Sequence, residues 1–351
     1  MAISSTSRAS IAALVLLSLA LAGREIYVHS IGHRLGGSGT GPAPDIVSQL
    51  PSGAPVIAYI DVAALRGTRD SPLTAILGLS GARAGGDRDY TSFVDETGFD
   101  YTRDLDRAAI ALWPAAAGTA ASVTREERVL VIADGRFDEQ KISRYALRTG
   151  RTVSRGARSL YQVPGHPPIS FEFLSTTRIA LASGTDAREF IALSNPGPRD
   201  PALQARIDRL AGAPIFAVAR TDNLPGNFYA NFANAPQLER LARGVETLTL
   251  AGRPEREGIK LELDGECNST KNALEIEALL EFSRVGASIA IGDPKTRRQM
   301  TEEQVAFLEA VIKQLKIDHE DRSVRLTLDL TPEMFGRAPL APLKSPPNRA
   351  P

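Results

Sequence analysis

The stretch Ala54-Pro55-Val56-Ile57-Ala58-Tyr59-Ile60 decides how this chain is divided, because a close match follows later, Ala213-Pro214-Ile215-Phe216-Ala217-Val218-Ala219. Each stretch is a short apolar run led by proline, which is typical of a buried strand. A second pair supports the first: Asp134-Gly135 and Asp264-Gly265 each stand between a strand-like run and a helix-like run. Together the matches predict an internal duplication.

The spacing of apolar residues predicts the same element order, β-α-β-β-α-β-β, in residues 50–200 and in residues 201–335. This is a ferredoxin-like order with one added strand. We therefore expect an α+β fold with two related halves, each an antiparallel sheet with helices packed on one face. An extra helix over residues 302–313 is expected to fall outside the match.

Two amphipathic stripes are the predicted covers of these sheets. In the helix predicted over residues 137–149, the apolar face consists of Phe137, Ile142, Tyr145 and Ala146. In the helix predicted over residues 273–285, the stripe consists of Leu274, Ala278, Phe282 and Val285. Because an alternating strand has one apolar face to cover, we expect both stripes to point toward the sheet.

The first 34 residues predict export. Arg8 precedes an apolar run over residues 11–22 that ends in small residues, as in a secretory signal. A cleaved signal peptide and a retained membrane anchor both fit this segment, so the expected location is the periplasm or the outer face of the cytoplasmic membrane. The Gly/Pro-rich residues 35–49 predict a flexible linker, and the Pro-rich residues 336–351 predict a disordered tail.

One stretch carries a family resemblance. Residues 50–65, from Leu50-Pro51-Ser52-Gly53 to Asp61-Val62-Ala63-Ala64-Leu65, resemble the opening of a family of exported or membrane-anchored bacterial proteins, a domain of unknown function. Thr97-Gly98-Phe99-Asp100 followed by Asp104-Leu105 resembles the next landmark of that family. The resemblance lies mainly over residues 50–105. It implies export and a duplicated α+β body, and it implies no chemistry.

Composition excludes several classes of function. The chain has 41 basic and 41 acidic residues, so its net charge of zero gives no electrostatic case for nucleic-acid binding. The single Cys267 excludes an internal disulfide, and a small, semi-buried role is expected for it. We find no catalytic, metal or nucleotide signature, and we therefore predict no catalytic residue, no metal ligand and no cofactor.

The four histidines do not form a metal-binding pattern. His29 and His33 stand four apart beside the N-terminal apolar run, without a third ligand nearby. His166 is expected in an exposed loop, and His319 in an acidic hairpin turn, where alternation sends neighbouring side chains to opposite faces. We therefore expect none of them to bind a metal.

One loop combines aromatic and amide side chains, which can stack on and hydrogen-bond to a sugar or peptide. These residues form the predicted ligand surface: Asn227, Phe228, Tyr229, Asn231 and Phe232. For Phe228 and Phe232, four apart, the favoured interpretation is that they are core contacts of a short helix, and the loop is the first place to look for a ligand if one binds.

The sequence therefore favours a non-catalytic envelope protein that acts by binding or assembly. Its expected partner is an envelope protein or glycan, with the membrane contacted through the N-terminal segment if that segment is uncleaved. The alternative is an envelope enzyme of the hydrolase class whose site is assembled between the two halves. An enzyme would gather ionisable groups in one pocket, whereas a binding protein would expose an apolar patch.

Overall fold

The computed structural model describes residues 44–66, 88–113, 128–155, 158–164, 168–183, 199–221, 236–255, 258–298, 300–331 and 334. The predicted export segment, the loop over residues 227–232 and the Pro-rich tail lie outside these ranges. Within the described ranges, no helix combines the length and the apolar character needed to cross a membrane.

Twelve strands form the described sheet. They are β1 (Val56–Asp61), β2 (Leu105–Trp113), β3 (Arg128–Gly135), β4 (Arg151–Arg155), β5 (Arg158–Val163), β6 (Ile169–Ser175), β7 (Arg178–Ser183), β8 (Ile215–Arg220), β9 (Val245–Glu255), β10 (Gly258–Cys267), β11 (Lys316–Glu320) and β12 (Ser323–Leu330). All of the strand pairs are antiparallel, and the order across the sheet is β11-β12-β10-β9-β8-β1-β2-β3-β7-β6-β5-β4.

Helices connect and cover the strands. Those that the structure describes are α1 (Asp45–Ser48), α2 (Val62–Leu65), α3 (Arg88–Thr97), α4 (Tyr101–Asp104), α5 (Glu139–Thr149), α6 (Pro201–Arg209), α7 (Pro236–Arg243), α8 (Thr270–Gly292), α9 (Pro294–Arg297) and α10 (Glu302–Gln314). The predicted extra helix is α10, which begins with a capping box in which Thr301 and Gln304 exchange hydrogen bonds.

The α+β class and its antiparallel pairing are confirmed, and the two halves share one sheet. The strands β1 and β8 pair with each other, so the halves join edge to edge at this central strand pair. Consecutive strands such as β1 and β2, or β8 and β9, are direct neighbours. Among the described strands, the split β-α-β unit of a ferredoxin-like sheet is therefore absent. The helices and strands follow one another along the chain in a ferredoxin-like order, but the strands are not arranged in the sheet as in a ferredoxin-like fold.

Two backbone hydrogen bonds make the central strand pair reciprocal. The N–H of Asp61 donates to the carbonyl of Pro214 at 2.7 Å, and the N–H of Arg220 donates to the carbonyl of Pro55 at 2.8 Å. In the match of the repeated stretches, Pro55 corresponds to Pro214, and Asp61 then corresponds to Arg220. Each bond therefore maps onto the other, and the predicted duplication relates the two strands by a local pseudo-two-fold axis.

The two Asp-Gly pairs occupy corresponding strands. Asp134 on β3 lies opposite Arg178 of β7, and Asp264 on β10 lies opposite Arg325 of β12. Each aspartate is on the third strand of its half, shortly before a helix, as the sequence predicts. Each aspartate therefore lies opposite an arginine on the next strand outward in its half of the sheet.

The correspondence of the halves is not exact in register. Across the sheet, Asp134 is level with Asp61, whereas Asp264 is level with Val218. Because Asp61 corresponds to Arg220, the outer strands of the second half are displaced by two residues. A shift of two preserves which side chains face which side, whereas a shift of one would invert them.

Helices lie on both faces of the sheet, which differs from the predicted single covered face. On the first face, α1 and α6 cover a core whose largest fully buried members include Ile57, Leu130, Ile132 and Phe216. On the second face, α2 and α5 cover a core that includes Ile60, Ile142, Ala146, Phe171 and Ile179. The central strands are apolar on both faces, so each face needs a cover.

The flexible linker predicted over residues 35–49 extends too far toward the C-terminus, because its last residues are folded. Ile46 and Val47 of α1 are fully buried in the core of the first face. The guanidinium of Arg199 donates to the carbonyls of Val47 and Leu50 at 2.9 and 3.3 Å, which ties this segment to the stretch just before α6. Residues 45–49 therefore belong to the folded body.

Candidate functional site

The most prominent exposed feature of the described residues is an apolar stripe on α8. Its members, which we call the apolar stripe, are Leu274, Ala278, Phe282, Val285 and Ile289. The side chains of Leu274, Phe282, Val285 and Ile289 are 45%, 75%, 51% and 71% exposed. They recur at intervals of three and four residues, so they lie along one side of the helix. Large apolar side chains grouped in this way on a surface mark an interaction site.

The opposite side of α8 holds the helix on the sheet. Ala273 is buried together with Cys267 and Val324, and Ile276 and Leu280 pack against this small core. The predicted role of the stripe as a cover is therefore wrong, because Leu274, Phe282 and Val285 face solvent. A helix that is apolar on two sides can pack against the sheet with either side. In the structure it packs with the side that the sequence analysis did not choose.

The start of α8 is fixed locally. The hydroxyl of Ser269 caps the helix by accepting a hydrogen bond from the backbone N–H of Asn272 at 3.2 Å. The side-chain amide of Asn272 donates to the carbonyl of Leu241 at the end of α7, at 3.3 Å. These contacts fix the N-terminal end of α8 against α7, while the packing of Ala273 beside Cys267 and Val324 sets which side of the helix faces the sheet.

Charged groups flank the apolar stripe and pair with one another. His319 Nδ1 lies 2.8 Å from a carboxylate oxygen of Glu277, and Arg284 lies 2.8 Å from Glu281 of the same helix. Near the N-terminus of α8, Lys271 lies 3.9 Å from Glu275. The helix itself carries two cations and three carboxylates, and Arg240 of α7 adds a third cation 3.2 Å from Glu275, so the surroundings of the stripe carry no excess of positive charge.

A second cluster, on the first face, gathers ionisable side chains around Asp134, the matched aspartate of the first half. Asp134 accepts hydrogen bonds from Arg107 and Arg178, both at 2.7 Å. Both arginines also reach Asp45 of α1, at 3.0 and 2.9 Å. The phenol of Tyr59 approaches the cluster beside Arg107. The cluster thus joins α1 to three strands of the first half.

Two groups of this cluster, Asp45 and Tyr59, have shifted pKa values. Burial opposes the ionisation of Asp45, but the hydrogen bond from Arg178 and the charge of Arg107 outweigh it, and the pKa of Asp45 is lowered. Burial, together with the charge of Asp61, raises the pKa of Tyr59 well above its ordinary value. Asp45 therefore stays charged and the phenol of Tyr59 stays protonated near neutral pH, so these two groups are suited to holding α1 rather than to moving protons.

The remaining titratable candidates do not form a reactive site. No group of three His, Cys, Asp or Glu residues with metal-binding geometry occurs in the described part of the chain. Cys267 is fully buried, deeper than the semi-buried role predicted for it, and burial raises the pKa of its thiol. His319 contacts Glu277, whereas His29, His33 and His166 lie outside the described residues.

The predicted ligand surface is not tested by the structure. Asn227, Phe228, Tyr229, Asn231 and Phe232 all lie in the stretch 222–235, which is outside the described ranges. Sequence reasoning found four of the five residues of the apolar stripe but assigned them to the core, and it missed Ile289. The available signal was the spacing of apolar residues, which continues in the sequence beyond Val285 to Ile289.

Comparisons with known proteins found only weak structural similarities. No family model and no curated protein matches the chain. Crystal forms III, I and IV of TP0453 are similar structures, with TM-scores of 0.45, 0.44 and 0.44 and 13% identity each. The matches cover 84%, 83% and 81% of this chain and 96%, 94% and 93% of those chains. Similarities at this level carry no argument about this chain, and the family resemblance over residues 50–105 stays a prediction.

Proposed function

We propose that this protein is an exported envelope protein that acts by binding or assembly, and that the apolar stripe of α8 is its interaction surface. The observation that carries the proposal is the exposure of Phe282 and Ile289, the two most exposed large apolar side chains of the described residues. Leaving such groups in water forgoes roughly 1.5–3 kcal/mol for each side chain that could be buried. A partner that covers the stripe recovers this free energy.

The chemistry near the junction of the halves supports binding over catalysis. The side chains that meet across the central strand pair are apolar or aromatic, as in Ile60 opposite Ile215 and Tyr59 opposite Phe216. The nearby ionisable groups around Asp134 are already paired with arginines. A hydrolase needs a nucleophile and a base held within reach of a substrate, and these residues do not supply such a pair.

Export is the second part of the proposal, and it rests on the apolar run over residues 11–22. An alkaline phosphatase domain fused after Gly41 is expected to be active, because that enzyme folds only in an oxidising compartment. A reporter that works only in the cytoplasm is expected to be silent at the same fusion point. The reverse pair of results would refute the predicted location.

Site-specific photo-crosslinking tests the binding surface. A photoreactive phenylalanine analogue replaces Phe282 in the full chain, and the same analogue replaces Leu147 on α5 in the control. Leu147 is 53% exposed and apolar, so it matches Phe282 in chemistry but lies on another surface. We expect discrete adducts in the cell envelope from position 282 and none from position 147. Equal labelling at both positions, or none at either, would contradict the proposal.

A further inference from the structure

We infer that the partner of the apolar stripe is a second copy of this chain, bound so that the two α8 helices pack antiparallel. The inference rests on the proposed function and names the partner that the stripe selects. Three properties of α8 support it: the spacing of the apolar residues, the distribution of large and small side chains, and the position of the charges beside them.

The spacing within the stripe is that of a helix-packing seam. Ala278, Phe282, Val285 and Ile289 are separated by four, three and four residues. This is the alternation of the a and d positions in a heptad repeat, which places each residue toward a facing helix. Leu274 extends the stripe by one further turn. A seam of this kind fits another helix better than it fits an extended peptide or a sugar.

The order of side-chain sizes fits an antiparallel copy. When a and d positions of two antiparallel helices face each other, Ala278 of one copy lies opposite Ile289 of the other. Phe282 then lies opposite Val285. Each layer thus combines a larger side chain with a smaller one, which is how facing positions fill a shared space. A two-fold axis relates the copies, so both halves of the contact form at once.

The charges beside the stripe are complementary in the same arrangement. Glu281 and Arg284 lie on one flank of the stripe, with Glu281 on the N-terminal side of Arg284. An antiparallel partner reverses this order, and Arg284 of each copy then comes next to Glu281 of the other. The ion pair now seen within one helix, at 2.8 Å, would become part of a four-membered network.

The same charges disfavour an anionic lipid surface as the partner. Helices that lie on such surfaces are rich in Lys and Arg along their polar side, whereas α8 carries more carboxylates than cations. The apolar stripe consists of five residues, far fewer than the roughly 20–30 residues that each partner contributes to a standard interface. The self-contact is therefore weak in solution, and anchoring both copies in one membrane would strengthen it by raising their effective concentration.

Disulfide trapping in the envelope tests the partner and its orientation. The full chain carries Cys267→Ala, and two differently tagged versions carry either Ala278→Cys or Ile289→Cys. Mild oxidation of cells that make both versions should give a mixed disulfide dimer. Two copies of Ile289→Cys alone should give about tenfold less, since their Cα atoms are about 16 Å apart along the helix axes in the antiparallel register.

Two further variants distinguish the proposed contact from nonspecific hydrophobic association. Phe282→Asp, added to both tagged versions, should lower the mixed dimer by about tenfold or more, the change that 1.4 kcal/mol produces. Leu147→Asp, which changes an equally apolar exposed position on α5, should leave the dimer unchanged. All of the substituted positions except Cys267 are exposed, and thermal unfolding of each variant verifies that it is folded.

The outcomes distinguish this inference from the proposed function. If position 282 crosslinks to other proteins but the mixed dimer does not form, the second copy is refuted and the binding function stands. If the chain binds phosphatidylcholine–phosphatidylglycerol vesicles through Phe282 and forms no mixed dimer, the partner is lipid and the inference is again refuted. Dimers of Ile289→Cys alone that equal the mixed dimer would refute the antiparallel arrangement. If neither crosslinking experiment gives an adduct, both proposals fail.

Discussion

Tyr59 and Phe216 stack with their ring centroids 5.2 Å apart on the strand pair that joins the two halves of the sheet. Both side chains are buried, and Phe216 is the largest fully buried side chain among the residues that the structure describes. The stack lies on the first face, between the segments covered by α1 and α6. The two halves therefore share a core as well as a sheet, and we expect them to unfold together.

Substitution of Phe216 tests this shared core. Phe216→Ala should lower the free energy of unfolding by about 3–5 kcal/mol, the usual cost of removing a buried aromatic ring. The readout is the fluorescence of Trp113, the single tryptophan, which lies on β2 in the other half. A shift of the Trp113 transition confirms one cooperative unit. An unchanged Trp113 transition, with a separate shift in circular dichroism, would mean that the halves unfold independently.

Phe282→Ala is the matched control for that measurement. Its side chain is 75% exposed, so the free energy of unfolding should change by less than about 0.5 kcal/mol. This variant removes the same ring from the surface, and it separates the effect of burial from the loss of an aromatic group.

The corresponding aspartates of the two halves offer a second test. Asp134→Asn leaves Arg107 and Arg178 facing an uncharged group, and because the Asp134 side chain is mostly buried, we expect a loss of about 3 kcal/mol. Asp264→Asn removes the equivalent contact with Arg325, which is more exposed, and should cost less than about 1 kcal/mol. Urea unfolding of both variants checks the order. Equal losses would contradict the assignment of a structural role to the Asp134 cluster.

The sequence predicted the elements of this fold better than their partners. The repeated stretch identified β1 and β8 as related buried strands, and both exist. It did not predict that they pair with each other, because a strand that is apolar on both faces fits any central position in a sheet. The strands β4 and β5 were missed, since their residues, such as Val153 and Leu160, alternate only weakly with polar ones.

The candidate surface was misassigned for a related reason. The helical period of Leu274, Ala278, Phe282 and Val285 was correctly recognised, and the structure does place them on one side of α8. Ala273, Ile276 and Leu280 form a second apolar side at the same period, and they are the ones that pack against Val324. Periodicity indicates that a helix has an apolar side, but it cannot choose between two such sides.

The pH dependence of stability should report on Asp45. Its pKa is lowered in the folded protein, so its stabilising effect is fully present above the ordinary carboxyl pKa of 3.8 and is lost as the pH falls through the lowered value. Asp45→Asn removes this titrating group. The stability difference between the unsubstituted protein and the variant should therefore shrink as the pH is lowered from neutral to about 3. Parallel stability curves over this range would contradict the predicted linkage.

The buried thiol of Cys267 gives the last prediction. Burial raises its pKa, so the folded protein favours the neutral thiol; this contribution to stability is fully present below the ordinary thiol pKa of 9.0 and is lost as the pH rises from there through the raised value. At about pH 8, a thiol reagent should therefore react only as fast as the protein unfolds, and the rate should rise in parallel with urea-induced unfolding. Cys267→Ala should cost about 1 kcal/mol, since it leaves a small cavity beside Val324. Rapid labelling of the folded protein, with a rate independent of urea, would show that the thiol is accessible and would overturn its assignment as an inert core residue.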